Sequence, residues 1–280
     1  EKMERKVLNK LKSMSGHKQI ARMQGSGSLA IEIMCHNFLS GNILIIDTGF
    51  YSDRLIKMCD GAKKIEKKIT NIDTINWKNL NNIKTKYNWL LACPTETSKG
   101  LLLPIKFIRK LAKKIKAKIM LDATASFGLE KNHNLADVIS YSSCKGLFGL
   151  TGASFVAYNK KPNFSSKTFY LNINNHLEKK MTGPYHTIGS LFYVLKKHSH
   201  FKKTVEINKK VFLKKMKNYL IYPKKNQPLL CTYIEGEVIP NDKNIVLYTP
   251  RSELSGSVVC HFGEIHSDKV EMVNRIRIKE

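Results

Sequence analysis

The first 160 residues alternate short apolar runs with amphipathic stretches. Runs such as residues 42–47 (NILIID) and 118–122 (KIMLD) are almost continuously apolar, as expected of strands that are buried on both faces of a sheet. The amphipathic stretches repeat their apolar positions every three or four residues, which is the period of a helix with one buried face. The predicted elements are strands at 42–47, 87–93, 118–122, 137–143 and 154–158, and helices at 28–39, 51–59 and 104–116. Repeated strand–helix units indicate an α/β fold with a largely parallel, doubly wound sheet.

The pattern changes after residue 160. The predicted parts that follow are a polar segment at 160–180, a long helix at 186–200, a basic helix after residue 202, and strands at 244–248 and 257–262. A mixture of helix and strand without regular alternation is typical of an α+β unit. We therefore predict a large domain at 1–185 and a small C-terminal α+β domain at 186–280.

Charge and apolar content change this picture little. The 280 residues include 48 Lys and Arg against 22 Asp and Glu, for a net charge of +26. The lysines are spread along the chain and do not cluster with Arg and aromatic residues, so we expect no nucleic-acid partner. No apolar run reaches about 18 residues, so we predict no membrane span. Residues 1–12 contain no apolar signal region. Because the sequence does not begin with Met, a missing N-terminal segment stays an open alternative.

The six cysteines form no Cys-x-x-Cys pair. Reduced thiols and a cytoplasmic location are the simplest interpretation, and we predict no metal site. Cys260 and His261 with His266 are a weaker alternative as metal ligands.

Two segments contain groups that suit an anion and a cation. Gly25-Ser26-Gly27-Ser28 precedes a predicted helix, where small residues and the helix N-terminus favour a phosphate, although a plain structural turn is about equally compatible. Asp122 directly follows a predicted buried strand, where a carboxylate needs a partner. It either caps the next segment or faces a cation such as a protonated pyridine nitrogen.

Two further segments contain candidate reactive and hydrogen-bonding groups. Lys145 closely follows a predicted strand and is flanked by small residues, and a desolvated lysine is a usable amine nucleophile. Residues 94–100 (PTETSKG) follow another strand and offer hydroxyls to a cofactor, or form a polar loop with a helix cap.

A dinucleotide-binding site is a rival interpretation. Gly25-x-Gly27-x-x-Ala30, followed by Asp47 at the end of a strand, fits that fingerprint. The fingerprint also requires an apolar strand before the first glycine, and residues 17–24 (HKQIARMQ) predict a poor strand. This interpretation would make the chain a nicotinamide-dependent oxidoreductase, and it gives Asp122 and Lys145 no role.

Taken in order, these segments resemble the class V aminotransferases of the fold-type I pyridoxal-phosphate family. Among these the similarity is greatest to 2-aminoethylphosphonate–pyruvate transaminases, followed by alanine–glyoxylate and serine–glyoxylate transaminases. It runs from about residue 22 to about residue 195. The resemblance implies a fold-type I large domain, bound pyridoxal 5′-phosphate and a homodimer. It also implies transfer of an amino group from 2-aminoethylphosphonate, a small-molecule amino donor, to a keto acid such as pyruvate. An inactive, truncated relative is a further alternative.

The resemblance also implies a role for particular residues. Residues 49–54 (GFYSDR), 96–100 (ETSKG) and 183–187 (GPYHT) match three further family segments. The implied contacts are Ser26, Gly27 and Ser28 to the phosphate, Tyr51 stacked on the ring, Thr97 in the ring-contacting loop, Asp122 to the ring nitrogen, Lys145 covalently to the cofactor and as proton carrier, and Tyr185 and Thr187 to the phosphate of the neighbouring subunit. Pro94 stands where the family has His, and Cys144 where it has a polar residue. The family's carboxylate-binding arginine aligns near Val258, so Arg251 is a weak candidate to replace it.

Overall fold

The computed structural model describes residues 1–83, 86–241, 243, 254–262 and 276–279, apart from the side chain of residue 82. The helices are α1 (Lys2–Ser15), α2 (Gly27–Phe38), α3 (Phe50–Glu66), α4 (Ile105–Lys114), α5 (Ile173–Leu177), α6 (Tyr185–Val194) and α7 (His198–Lys215). The strands are β1 (Gln19–Gln24), β2 (Gly41–Asp47), β3 (Ile69–Asn76), β4 (Trp89–Ala92), β5 (Thr95–Glu96), β6 (Leu101–Leu102), β7 (Lys118–Asp122), β8 (Val138–Ser142), β9 (Ala153–Tyr158), β10 (Cys231–Glu235), β11 (Val238–Pro240), β12 (Gly256–Cys260) and β13 (Ile276–Ile278). Short 3₁₀ turns lie at Trp77–Asn82, His133–Leu135, Lys145–Leu147, Phe169–Leu171, Lys217–Tyr219 and Lys224–Asn226.

Seven strands form the central sheet in the order β1-β9-β8-β7-β4-β2-β3. The five strands β8, β7, β4, β2 and β3 are parallel to one another, whereas β9 runs antiparallel to both β8 and β1. Helices cover both faces: α1, α4 and α6 contribute to one apolar core, and α2 and α3 to the other. Burial on two faces is why the sequences of these strands are continuous apolar runs. The predicted doubly wound, mostly parallel sheet is confirmed.

Strand β1 was not predicted. Its four central residues are buried, including Arg22, which forms an ion pair with Glu4 on α1. The charge of Arg22 made residues 17–24 look unlike a buried strand. A carboxylate from a separate helix compensates it, and a buried charge is tolerated only with such a partner. The prediction of a poor strand before Gly25 is therefore wrong.

The single helix predicted at 186–200 is also wrong, since the structure has two helices there. The chain tightens after the last turn of α6. Lys197 N donates to Val194 O (2.9 Å), three residues earlier, whereas an α-helix would use the carbonyl four residues earlier. Helix α7 then begins at His198, whose Nε2 donates to Gly146 O (2.8 Å). The contact with Gly146 joins the start of α7 to the turn that contains Lys145.

The described C-terminal residues form small antiparallel pairs, β10 with β12 and β11 with β13. The strand predicted at 257–262 corresponds to β12, whereas the one predicted at 244–248 lies outside the described residues. Helix α6 packs on the core of the large sheet through Ile188 and Leu191. The domain division after residue 185 stays a prediction. Among the described residues, no helix is long and apolar enough to cross a membrane.

Candidate active site

The segments singled out by the sequence follow four neighbouring parallel strands. Strands β8, β7, β4 and β2 are adjacent in that order, and their carboxyl ends meet at one edge of the sheet. The loop with Lys145 follows β8, Asp122 ends β7, residues 94–100 follow β4, and residues 49–54 follow β2. Open α/β sheets bind ligands at this edge.

Asp122 is a buried carboxylate, only 2% exposed. Its Oδ1 accepts a hydrogen bond from Thr124 N (3.0 Å), and its Oδ2 accepts one from Arg54 Nη2 (3.3 Å). Asp122 therefore caps the following turn and also faces a cation, Arg54, whereas its contact with a ring nitrogen stays a prediction. A buried carboxylate is tolerated only with such partners.

The turn with Lys145 is held tightly by the loops around it. Lys145 is half-buried and begins the 3₁₀ turn Lys145–Leu147. Just before it, the Ser143 hydroxyl donates to Leu150 O (2.6 Å). Just after it, Gly146 packs so closely on the next loop that a Cβ would lie 2.1 Å from Phe127 O. These contacts fix the backbone of the lysine turn at the sheet edge.

Glu96 links the loop after β4 to the start of α3. It is fully buried, and its Oε2 accepts from Tyr51 N (3.0 Å) and Thr48 Oγ1 (3.3 Å). Its Oε1 accepts from the Ser98 hydroxyl (2.6 Å). Burial raises the pKa of this carboxyl, and its hydrogen bonds oppose the rise. Half-buried Thr97 lies in the same loop, so Glu96 fixes the loop relative to Tyr51.

The N-terminus of α2 reaches the ends of β7 and β8. Ser26 is its N-cap residue, and Gly27 is buried where a Cβ would lie 2.9 Å from Thr124 Oγ1. The hydroxyl of Thr124 is buried and has no hydrogen-bond partner among the described residues. The Ser28 hydroxyl accepts from Arg54 Nη1 (3.1 Å). Helix N–H groups, small residues and a hydroxyl thus converge beside Asp122, as an anion site requires.

The charged groups of the site act on one buried thiol, that of Cys93 at the end of β4. Burial raises the pKa of Cys93 well above its usual value. The charges of Asp122 and Glu96 raise it further, and those of Arg54 and Lys145 lower it. Cys93 itself stays a neutral, buried thiol.

Comparison with solved structures identifies the fold. An alanine–glyoxylate aminotransferase from Nostoc superposes with a TM-score of 0.69 over 87% of this chain and 72% of that chain, at 15% identity. The chain has the fold of the fold-type I aminotransferases. The fold expected from the sequence is therefore confirmed.

Sequence similarity points to the same class of protein. A bifunctional phosphonoacetaldehyde hydrolase/aminoethylphosphonate transaminase of Clostridioides difficile is 25% identical over 195 residues, which is 62% of this chain and 31% of that protein. A 2-aminoethylphosphonate–pyruvate transaminase of Vibrio cholerae is 24% identical over 219 residues, which is 70% of this chain and 59% of that protein. The chain thus spans less than two thirds of the length of these relatives. No family profile matches it.

The fold removes the geometric basis of the dinucleotide interpretation. That interpretation needs the Gly25 turn and Asp47 on adjacent strands. In this fold, Gly25 follows β1 at one edge of the sheet and Asp47 ends β2, with four strands between them. The side chain of Asp47 instead accepts from the Ser52 hydroxyl (3.0 Å) and stabilises the start of α3.

Thr187 lies beside this edge, because the loop at Thr151 and Gly152 that it contacts also binds the Gly25 turn through Gly25 N and Gly152 O (3.0 Å). Tyr185 is 61% exposed at the start of α6, and buried Thr187 donates its hydroxyl hydrogen to Thr151 O (3.0 Å). Their predicted contact with a neighbouring subunit stays a prediction. Val258 lies in β12 opposite Tyr233 of β10. Arg251 and His266 lie outside the described residues.

Sequence reasoning assigned no role to Arg54 or Glu96, although both stand in the quoted motifs. The available signal for Glu96 was an acid just after a buried strand, the same signal that identified Asp122. Arg54 gave no local signal, because its partners are 26 and 68 positions away.

Proposed function

We propose that this chain is a pyridoxal-phosphate-dependent aminotransferase with Lys145 as the lysine that binds the cofactor covalently. The observation that carries the proposal is that the turn with Lys145, the buried Asp122 carboxylate and the N-terminus of α2 lie at the ends of the adjacent strands β8 and β7. An aldehyde, a protonated ring nitrogen and a phosphate need these three partners.

The residues present fit this cofactor. Gly27 packs against the side chain of Thr124, so the buried Thr124 hydroxyl, which has no hydrogen-bond partner among the described residues, adjoins the N-terminus of α2. Ser26 and Ser28 offer two more hydroxyls at the same helix end. Asp122 supplies a negative charge that burial shields from water. Tyr51 and Thr97 flank the edge from the neighbouring loops, and we assign them to the ring.

Each residue then has a defined part in the reaction. Pyridoxal phosphate, when bound, supplies an electron sink for cleaving a bond at the amino-bearing carbon of the substrate. With the cofactor bound, the Lys145 amine would take a proton from that carbon and deliver it to the cofactor carbon that receives the amino group. Asp122 would face the ring nitrogen and favour its protonated form. The loops after β2 and β4 orient the ring and exclude water from it.

The substrate proposal is an aminophosphonate donor, 2-aminoethylphosphonate, with pyruvate as acceptor. Its support is the aminoethylphosphonate transaminase activity in the names of the relatives from Clostridioides and Vibrio. The alternative is an alanine–glyoxylate type of reaction, which the structural neighbour from Nostoc favours. Arg251 is our candidate for binding the substrate carboxylate. We also retain two further proposals: a homodimer in which Tyr185 and Thr187 reach the partner's site, and a cytoplasmic location.

The test is a donor and acceptor survey of the purified chain with pyridoxal phosphate. We expect alanine to form from pyruvate when 2-aminoethylphosphonate is the donor, and Lys145→Ala to lower kcat by about three orders of magnitude or more, since the proton carrier is lost. Lys131→Ala, at an exposed loop position, is the matched control and should retain activity. Turnover of alanine with glyoxylate alone would replace the substrate assignment. Full activity of Lys145→Ala would overturn the function.

A further inference from the structure

One side chain contacts three residues that we assign to the cofactor for separate reasons. Arg54 Nη1 donates to the Ser28 hydroxyl (3.1 Å), and Nη2 donates to Asp122 Oδ2 (3.3 Å). The guanidinium carbon lies 4.8 Å from the centre of the Tyr51 ring. Ser28 belongs to the phosphate turn, Asp122 to the ring-nitrogen position and Tyr51 to the ring face.

These three partners lie on different parts of the fold. Ser28 is in the first turn of α2, Asp122 ends β7, and Tyr51 precedes Arg54 by one turn on α3. Helices α2 and α3 pack on the same face of the sheet, so their relative position is not fixed by backbone hydrogen bonds. The planar guanidinium has donors in a rigid fork and can bond two separate oxygens at once. Arg54 is therefore able to hold the N-terminus of α2 in register with the end of β7.

We propose that Arg54 is a positioning residue for the cofactor: it joins the phosphate turn to the ring-nitrogen carboxylate and seats the ring-stacking tyrosine. This inference rests on the proposed function and names a residue that acts through Ser28, Asp122 and Tyr51. A guanidinium near an aromatic face also favours one orientation of that ring.

The charge of Arg54 has a second, separable effect. Its guanidinium offsets the negative charge of Asp122, with an exposed fraction of 26% on the arginine side and 2% on the carboxylate side. Removing the cation makes the local potential more negative, which favours protonated forms of any group bound nearby. Lysine would restore the charge but, as a compact point charge, would not bridge two oxygens. The effect of the two hydrogen bonds of Arg54 can thus be tested separately from the effect of its positive charge.

The experiment compares wild type, Arg54→Met, Arg54→Lys and Lys57→Met. The first measurement is the affinity for pyridoxal phosphate by absorbance titration, and the second is the pH midpoint at which the bound-cofactor band changes. Lys57 is exposed on the same helix and is the matched control for loss of a cation from α3. Unfolding midpoints of the cofactor-free proteins report any general loss of stability.

We expect Arg54→Met to bind pyridoxal phosphate about tenfold or more weakly, since at least one charge-assisted hydrogen bond is lost. Its pH midpoint should rise by on the order of one pH unit. Arg54→Lys should keep the wild-type pH midpoint but bind pyridoxal phosphate more weakly than wild type. Lys57→Met should match wild type in pH midpoint and in affinity.

Wild-type affinity and an unchanged midpoint in Arg54→Met would overturn the inference while leaving the proposed function in place. The inference also fails if Arg54→Met changes only the unfolding midpoint, because Arg54 would then be purely structural. A wild-type chain that binds no pyridoxal phosphate would overturn both the inference and the proposed function.

Discussion

At the scale of single residues, the lysine turn depends on a position that tolerates no side chain. Gly146 lies directly after Lys145, and a Cβ there would meet the carbonyl oxygen of Phe127 at 2.1 Å. A backbone atom cannot move aside as the end of a flexible side chain can. The identity of this residue therefore determines where the Lys145 amine lies.

We expect Gly146→Ala to lower the free energy of unfolding by about 2 to 3 kcal/mol, the usual effect of overpacking in a tight interior. Its affinity for pyridoxal phosphate should fall with it, because Lys145 is displaced. Gly61→Ala is the matched control: Gly61 is inside α3 with nothing within 4 Å of an added Cβ. That substitution should stabilise the chain by about 0.5 to 1 kcal/mol. Urea unfolding measures the free energy of unfolding of both variants. Equal stability of the two variants would contradict the packing at the turn.

At the scale of elements, the sequence was most informative for strands that are buried on both faces of the sheet. Strands β2, β4 and β7 are covered on both faces, so apolar residues alone identified them. Strand β3 at the sheet edge leaves many positions exposed and was missed. Strand β1 was missed because its arginine is neutralised by α1, and the break before α7 because it depends on a hydrogen bond to Gly146. These are contacts between distant residues, which local periodicity does not register.

The same distinction applies to the candidate site. Asp122 and Lys145 could be chosen from the sequence because a polar group closely following a buried strand is conspicuous. The links between the site segments could not, since Arg54 and Glu96 act through partners on other elements. The fold supplies the adjacency of β8, β7, β4 and β2, and this adjacency brings four separate loops to one edge.

At the scale of the whole molecule, buried histidines should make stability depend on pH. Burial lowers the pKa of His133 and of His261 to about 3 in each case, and it also lowers the pKa values of His17, His176 and His198. In the fold these side chains therefore protonate at lower pH than in the unfolded chain, where histidine protonates near pH 6.5. Their contribution to the free energy of unfolding is complete above pH 6.5 and is lost as the pH falls below 6.5.

We expect His133→Gln to show a weaker fall in stability than wild type between pH 7.5 and pH 5. The difference should be about 2 kcal/mol at pH 5, as one proton fewer is taken up on unfolding. Buried Glu96 and Glu130 have raised pKa values and act in the opposite direction, but they contribute equally to both proteins. Exposed His200→Gln is the control and should behave as wild type. Parallel pH profiles for His133→Gln and wild type would show that His133 is not buried and neutral.

The central claim is that one lysine among the 48 basic residues holds the cofactor. The most direct measurement is to incubate the chain with pyridoxal phosphate, reduce it with borohydride to lock any lysine–cofactor bond, and map the product by mass spectrometry. The account predicts a single stoichiometric modification on Lys145, which is absent from Lys145→Ala. Modification spread over surface lysines, or concentrated on another lysine while Lys145 stays free, would contradict it.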